Sequence, residues 1–325
     1  MKVSRLALSG IASLPDLDYE FISFTTGKPH NLILVSGPPA SGKTRLCEVM
    51  LAVLEAAGGY QGMVRAADWY ADSARGARAE LEVWLDEGLV QESGTAESVG
   101  QGARAVAYFG LDGVRTEVDR AVSRRLSRYD HDPAHGKREY FPEGRQRAWG
   151  AREDGMGAAE QALLRCTKDP QKYSVVPSFL SELRTDLVRR RAFAGGVELL
   201  SSTVQYSPAP RANDPTACFV NRGGVRMRYA ELSSSEADAV VMASTAAMIG
   251  LNHSMVFLDR PELYVPADRL VSWVQSLARL GEDNQWIVAT SDEGLAASVD
   301  RSQHISLGRG DGHAGPSSRR SWRPT

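Results

Sequence analysis

Short apolar runs bounded by polar residues lie near both ends of the chain, at 32–35, 254–258, 286–289 and 304–307. Runs of this kind predict strands buried on both faces of a parallel sheet. Residues 77–85 follow a different rule. Arg78, Glu80 and Glu82 alternate with Ala79, Leu81 and Val83, which predicts a half-buried strand. Residues 103–109 predict another, and the two read as an accessory antiparallel sheet. Residues 3–9 and 18–24 predict two strands about a turn at Pro15. Helical spacing appears at 44–57, where Leu46, Val49, Leu51, Val53 and Leu54 suit burial on most sides. Residues 157–194 read as helical with interruptions at Pro170 and Pro177. Residues 115–152 are polar and arginine-rich, and 207–215 read as a loop.

Between the run at 32–35 and the helix at 44–57 stands Gly37-Pro38-Pro39-Ala40-Ser41-Gly42-Lys43-Thr44. This is a complete G-x-x-x-x-G-K-[ST] phosphate loop in its required strand–loop–helix setting. Backbone amides and the helix N-terminus attract phosphate. Lys43 reaches the outer phosphates and Thr44 offers a hydroxyl to magnesium. ATP with Mg2+ is the expected cofactor pair.

Composition narrows the setting. The 325 residues are 42% apolar, and 38 basic against 40 acidic side chains give a net charge of −2. That size predicts one large α/β domain or one domain with an insertion. The balance gives no overall signature for nucleic acid. Cys47, Cys166 and Cys218 lie far apart and show no metal or disulfide spacing. His131 and His135 are separated by Asp-Pro and read as loop residues. The apolar stretch 239–251 is too short for a bilayer, and the first ten residues are unlike a signal peptide. A cytoplasmic protein with no membrane partner is expected.

A second group of motifs lies late in the chain. Met255-Val256-Phe257-Leu258-Asp259-Arg260-Pro261-Glu262 is an apolar strand ending in Asp, the Walker B arrangement. Ahead of it stands Leu232-Ser233-Ser234-Ser235-Glu236. On its own this reads equally as a capping box opening a helix that runs to about Gly250.

With the phosphate loop, these motifs resemble an ABC-type ATPase of the soluble branch that includes SMC, RecF and the overcoming-lysogenization-defect ATPases. The resemblance covers 1–60 and about 217–307. It implies an α/β P-loop NTPase fold, an ABC-type head with an accessory antiparallel sheet and a helical subdomain inserted at about 61–216. One domain would span 1–307, followed by a disordered basic tail at 308–325. The resemblance makes Ser233, Ser234, Ser235 and Glu236 a signature that binds the nucleotide of an opposing subunit. A homodimer or heterodimer would then enclose the nucleotides. Thr44 and Asp259 would hold Mg2+. Asp259, Glu262 and Gln146 would form the catalytic set, Gln146 as the magnesium-switch glutamine.

Three positions depart from that pattern. Arg260 stands where the family has the catalytic Glu, and an arginine accepts no proton. Thr290-Ser291-Asp292 lacks the switch histidine, and Ser235 replaces the usual Gly. Slow or absent hydrolysis is expected. Arg124, Arg125 and Arg128, with Arg184 and Arg189–Arg191, offer helix surfaces for DNA, or simply solvated faces. The expected role is a nucleotide-dependent dimeric switch, in DNA transactions or anti-phage defence, with DNA or a separate effector protein as further partner. The alternative is a P-loop small-molecule kinase or phosphotransferase, which needs no late motif pair.

Overall fold

The computed structural model describes residues 1–60, 76–85, 102–110, 113–127, 131–145, 164–208 and 218–308. Its centre is a five-stranded sheet, all parallel, in the order β13-β3-β12-β11-β7. The strands are β3 (Leu32–Ser36), β7 (Arg138–Phe141), β11 (Met255–Asp259), β12 (Gln285–Thr290) and β13 (His304–Ser306). The four apolar runs of the sequence supply four of them. Alternate residues face opposite cores, as the twofold period of a strand requires. Ile33, Val35, Met255, Phe257, Ile287 and Ala289 enter one core. Leu34, Val256, Leu258, Trp286 and Val288 enter the other.

The first core lies between this sheet and a second one, antiparallel, ordered β2-β1-β4-β5-β6. It comprises β1 (Lys2–Ser9), β2 (Leu17–Glu20), β4 (Ala77–Trp84), β5 (Gly102–Gly110) and β6 (Gly113–Val118). The strands expected at 77–85 and 103–109 therefore do not form a sheet of their own. They continue the N-terminal strands, with β1 pairing to both β2 and β4. Helix α1 (Lys43–Ala57) is buried in this core on nearly every side.

The second core packs under helices α3 (Val176–Glu182), α4 (Leu187–Leu200), α5 (Ser234–Ile249) and α6 (Ala267–Ser276). Helix α7 (Glu293–Ala297) adds Leu295 to this core, and α2 (Arg120–Leu126) adds Val122 and Leu126 to the first. A three-stranded antiparallel ribbon is built from β8 (Val204–Tyr206), β9 (Phe219–Asn221) and β10 (Arg226–Met227). Helix α5 starts on Ser233 and stops on Gly250, whose left-handed φ of 61° terminates it. Pro133 fills the place of any side chain there.

Strand β7 falls within the stretch read as polar. Its charges are buried but paired. Arg138 meets Glu55 at 3.4 Å and donates to the Leu54 carbonyl at 2.6 Å. Glu139 lies between Lys172 (3.4 Å) and Arg165 (3.8 Å). Among the described residues, no helix is long and apolar enough to cross a membrane.

Candidate functional site

The parallel strands bring their carboxyl ends together, where open α/β sheets bind ligands. Strand β3 ends at Ser36 and runs into the loop Gly37–Gly42. Two positions there need backbone that side chains disfavour. A Cβ on Gly37 would lie 2.3 Å from the Leu307 carbonyl and 2.6 Å from Ser41 Oγ. Gly42 has a φ of 94°, and its Cβ would meet Leu14 at 2.7 Å. Pro38 anchors the turn by accepting from the Ser41 N–H at 3.2 Å, while Pro39 continues it into Ala40, at φ 64°. Helix α1 follows with no side-chain cap and no acidic residue in its first turn, so its leading amides are unopposed toward an anion.

Lys43 folds back over this loop and donates to the carbonyls of Gly37 and Pro38, both at 2.8 Å. Burial lowers its pKa; Glu262 and Asp259 oppose that, and Arg260 adds to it. All three side chains at the end of β11 thus lie within electrostatic reach of Lys43. Thr44 donates to Asp259 Oδ2 at 2.7 Å, linking residues 215 positions apart. Tyr140 donates to the same oxygen at 3.4 Å. Burial raises the Asp259 pKa, against the Thr44 hydrogen bond.

Asp259 Oδ1 and Ser41 Oγ are buried and make no hydrogen bond. A hard cation prefers carboxylate and hydroxyl oxygens, and a phosphate takes donors such as Ser41 and Lys43. The residues therefore fit a magnesium–nucleotide pair, and Thr44 and Asp259 are the groups that could hold the metal.

The far side of the site is knitted to itself. Arg260 has left-handed backbone, φ 50°, ψ 58°, and its N–H is bonded to the Ala289 carbonyl at 2.8 Å. Its guanidinium donates to Glu143 at 3.2 Å and lies 3.7 Å from Glu262. Glu262 accepts from Thr290 Oγ1 at 2.8 Å and from the Ser291 N–H at 3.0 Å. Both its carboxylate oxygens are therefore engaged. Asp292 caps α7 by accepting from the Leu295 N–H at 2.6 Å.

At the start of α5, Ser233 closes a capping box with Glu236. The Glu236 N–H donates to Ser233 Oγ at 3.4 Å, and Glu236 Oε2 accepts from the Ser233 N–H at 2.9 Å and from Ser233 Oγ at 2.7 Å. Burial would raise the Glu236 pKa, but the Ser233 hydrogen bonds outweigh it and lower it. Ser233, Ser234 and Ser235 are exposed. No hydrogen bond joins these residues to the phosphate loop of the same chain. Gln146 lies outside the described residues, as do Arg128 and the expected tail beyond Gly308.

One residue of consequence escaped the sequence reading. Arg145 is fully buried. Its guanidinium is forked onto Asp238 of α5, with one contact at 3.0 Å and a second between Nε and Oδ1. It also donates to the Asp259 carbonyl at 2.9 Å and lies over the Tyr264 ring at 4.4 Å. It ties the helix that begins at Ser234 to the end of the strand that carries Asp259. It stands at the end of Tyr140-Phe141-Pro142-Glu143-Gly144-Arg145, directly before Gln146.

No family model and no curated protein matches the chain. Solved structures do match. The Smc head bound to the C-winged helix domain of ScpA is 14% identical, with a TM-score of 0.56 over 94% of each chain. The SMC head domain from Thermotoga maritima is 14% identical, with a TM-score of 0.51 over 95% of this chain and 94% of its own. The Smc head with an extended coiled coil, bound to the C-terminal domain of ScpA derived from Pyrococcus furiosus, gives 14% and 0.55 over 94% and 92%. The chain thus has the fold of these SMC head domains.

Proposed function

We propose that this chain binds ATP with Mg2+ and works as an ABC/SMC-type dimeric switch whose hydrolysis is slow or lost. The observation that carries this reading is the Thr44–Asp259 hydrogen bond, with Asp259 Oδ1 left unbonded beside it. It joins the phosphate loop to the Walker B strand at the carboxyl ends of two strands that flank β12. In this reading Gly37–Thr44 cradle the phosphates and Thr44 and Asp259 hold the metal. The metal, when bound, neutralises charge on the outer phosphates.

Ser233, Ser234 and Ser235 offer an exposed helix start to the nucleotide of a second copy or a related chain, with Glu236 holding that start in shape. Arg260 in place of a carboxylate, and Glu262 bonded at both oxygens, support weak turnover. DNA or a separate effector protein would act on the outside of the dimer. The fold likeness supports the class of machine, and ScpA bound to an SMC head is a precedent for a protein partner.

The test is light scattering with saturating ATP and Mg2+. The mass should double, and Ser234→Arg should abolish the rise while leaving ATP affinity within twofold. A wild-type chain that binds ATP and stays monomeric at all concentrations would sink the dimer reading and favour the phosphotransferase.

A further inference from the structure

We propose that Arg260 is a ligand of the terminal phosphate, handed over from Glu143 when a nucleoside triphosphate binds, and that it makes the site selective for triphosphate over diphosphate. This rests on the reading of the site as an ATP site and adds to it a residue that senses which nucleotide is present.

The first support is position. Arg260 directly follows Asp259, so the two Cα atoms are about 3.8 Å apart. Asp259 is itself bonded to Thr44 of the phosphate loop. The guanidinium therefore starts from the rim of the place where the outer phosphates would lie.

The second support is backbone. A left-handed conformation is costly for any residue with a Cβ, and such strain concentrates at functional sites. Here the N–H bond to Ala289 and the following Pro261 hold it. The strain fixes the direction in which the side chain leaves the strand end.

The third support is the weakness of what Arg260 now holds. A guanidinium has five N–H donors. Among the described residues its guanidinium makes one hydrogen bond, to Glu143, at 3.2 Å. Its Nε is buried, with Glu262 3.7 Å away and no hydrogen bond made. Glu143 is half exposed, and ion pairs of that kind contribute little. A terminal phosphate carries more charge than a carboxylate and matches the guanidinium fork in two parallel bonds. Exchange from Glu143 to phosphate is therefore downhill and needs only side-chain rotation. A diphosphate has no group at that place and leaves the Glu143 pair intact.

The experiment is titration calorimetry of the full chain with ATP and with ADP, each with Mg2+. Arg260→Gly, which relieves the left-handed backbone, should lower ATP affinity at least tenfold, about 1.4 kcal/mol. ADP affinity should stay within twofold and thereby report an intact fold. Glu143→Gln removes the competing partner and should raise ATP affinity severalfold with ADP unchanged. Equal loss of ATP and ADP in Arg260→Gly, or no loss of either, overturns the proposal while leaving the ATP site standing. A wild-type chain that binds neither nucleotide overturns both.

Discussion

The two sides of the site are built on opposite plans. On the phosphate side the loop is open toward a ligand. Its helix has no anionic cap, Lys43 is bonded only to two carbonyls, and Asp259 and Ser41 each have an unbonded oxygen. On the opposite side, at 260–262 and 290–292, the carboxylates are already engaged. Glu262 serves Thr290 and Ser291, Asp292 caps a helix, and Glu143 holds Arg260. Binding phosphate and activating water are thus separable properties of one strand edge. A chain can keep the first while its groups for the second are drawn into holding the edge together.

Turnover offers the largest test of that contrast. A positioned general base contributes ~10²–10⁴-fold in rate, so the wild-type chain should turn over far below the ~1 s⁻¹ of ordinary enzymes. Arg260→Glu places a carboxylate between Glu143 and Glu262, whose repulsion makes it more basic. It should raise phosphate release at least tenfold at saturating ATP. Brisk wild-type release would erase the contrast and make Glu262 the next residue to replace.

The phosphate side is tested by Lys43→Ala. Losing that ammonium should weaken ATP and ADP alike by at least tenfold, about 1.4 kcal/mol. Unchanged affinity in calorimetry would remove the main support of the nucleotide site. Ser233→Ala is smaller. It removes the two bonds that Ser233 Oγ makes with Glu236, leaves the Ser233 N–H bonded to the Glu236 carboxylate, and should cost about 1 kcal/mol of stability in denaturant unfolding. Nucleotide affinity of the monomer should not change, since this helix start makes no hydrogen bond to the phosphate loop of its own chain.

The smallest effect concerns pH. His304 Nε2 is hydrogen-bonded to Ser36 Oγ at 2.6 Å, and His30 Nε2 to Ser302 Oγ at 3.0 Å. Burial lowers the pKa of both. The unfolded chain then binds more protons than the folded chain just below the ordinary histidine value. Stability should therefore fall as pH drops below about 6.5 and stay level above it. His304→Gln should flatten part of that slope in melting curves taken from pH 7.5 to 5.5. An unchanged slope would assign it to other groups.

The phosphate loop, Asp259 and four of the five parallel strands were legible because local patterns encode them. Apolar runs mark buried strands, and a phosphate loop needs its glycines wherever it occurs. The start and end of α5 were legible for the same reason, through Ser233, Glu236 and Gly250. Strand β7 was not, because its Arg138 and Glu139 look solvent-loving until Glu55, Arg165 and Lys172 arrive from elsewhere in the chain. Arg145 was hidden in the same way. Its burial depends on Asp238, 93 residues away, and no local spacing announces a partner at that distance. The same holds for Glu262, whose ties to Thr290 and Ser291 appear only when β11 and β12 lie side by side.

The backing of the phosphate loop comes from the far end of the chain. Leu307 donates its N–H to Ser36 at 2.8 Å, and its carbonyl fills the space behind Gly37. During synthesis the loop leaves the ribosome well ahead of Asp259, β12 and β13, with 215 positions between Thr44 and Asp259 alone. At about 5–20 residues per second, the interval is on the order of tens of seconds. Over that time the glycine loop has neither its neighbour strands nor the carboxylate that pairs with Thr44. A growing chain thus carries the motif well before the strands and the carboxylate that surround it in the folded protein.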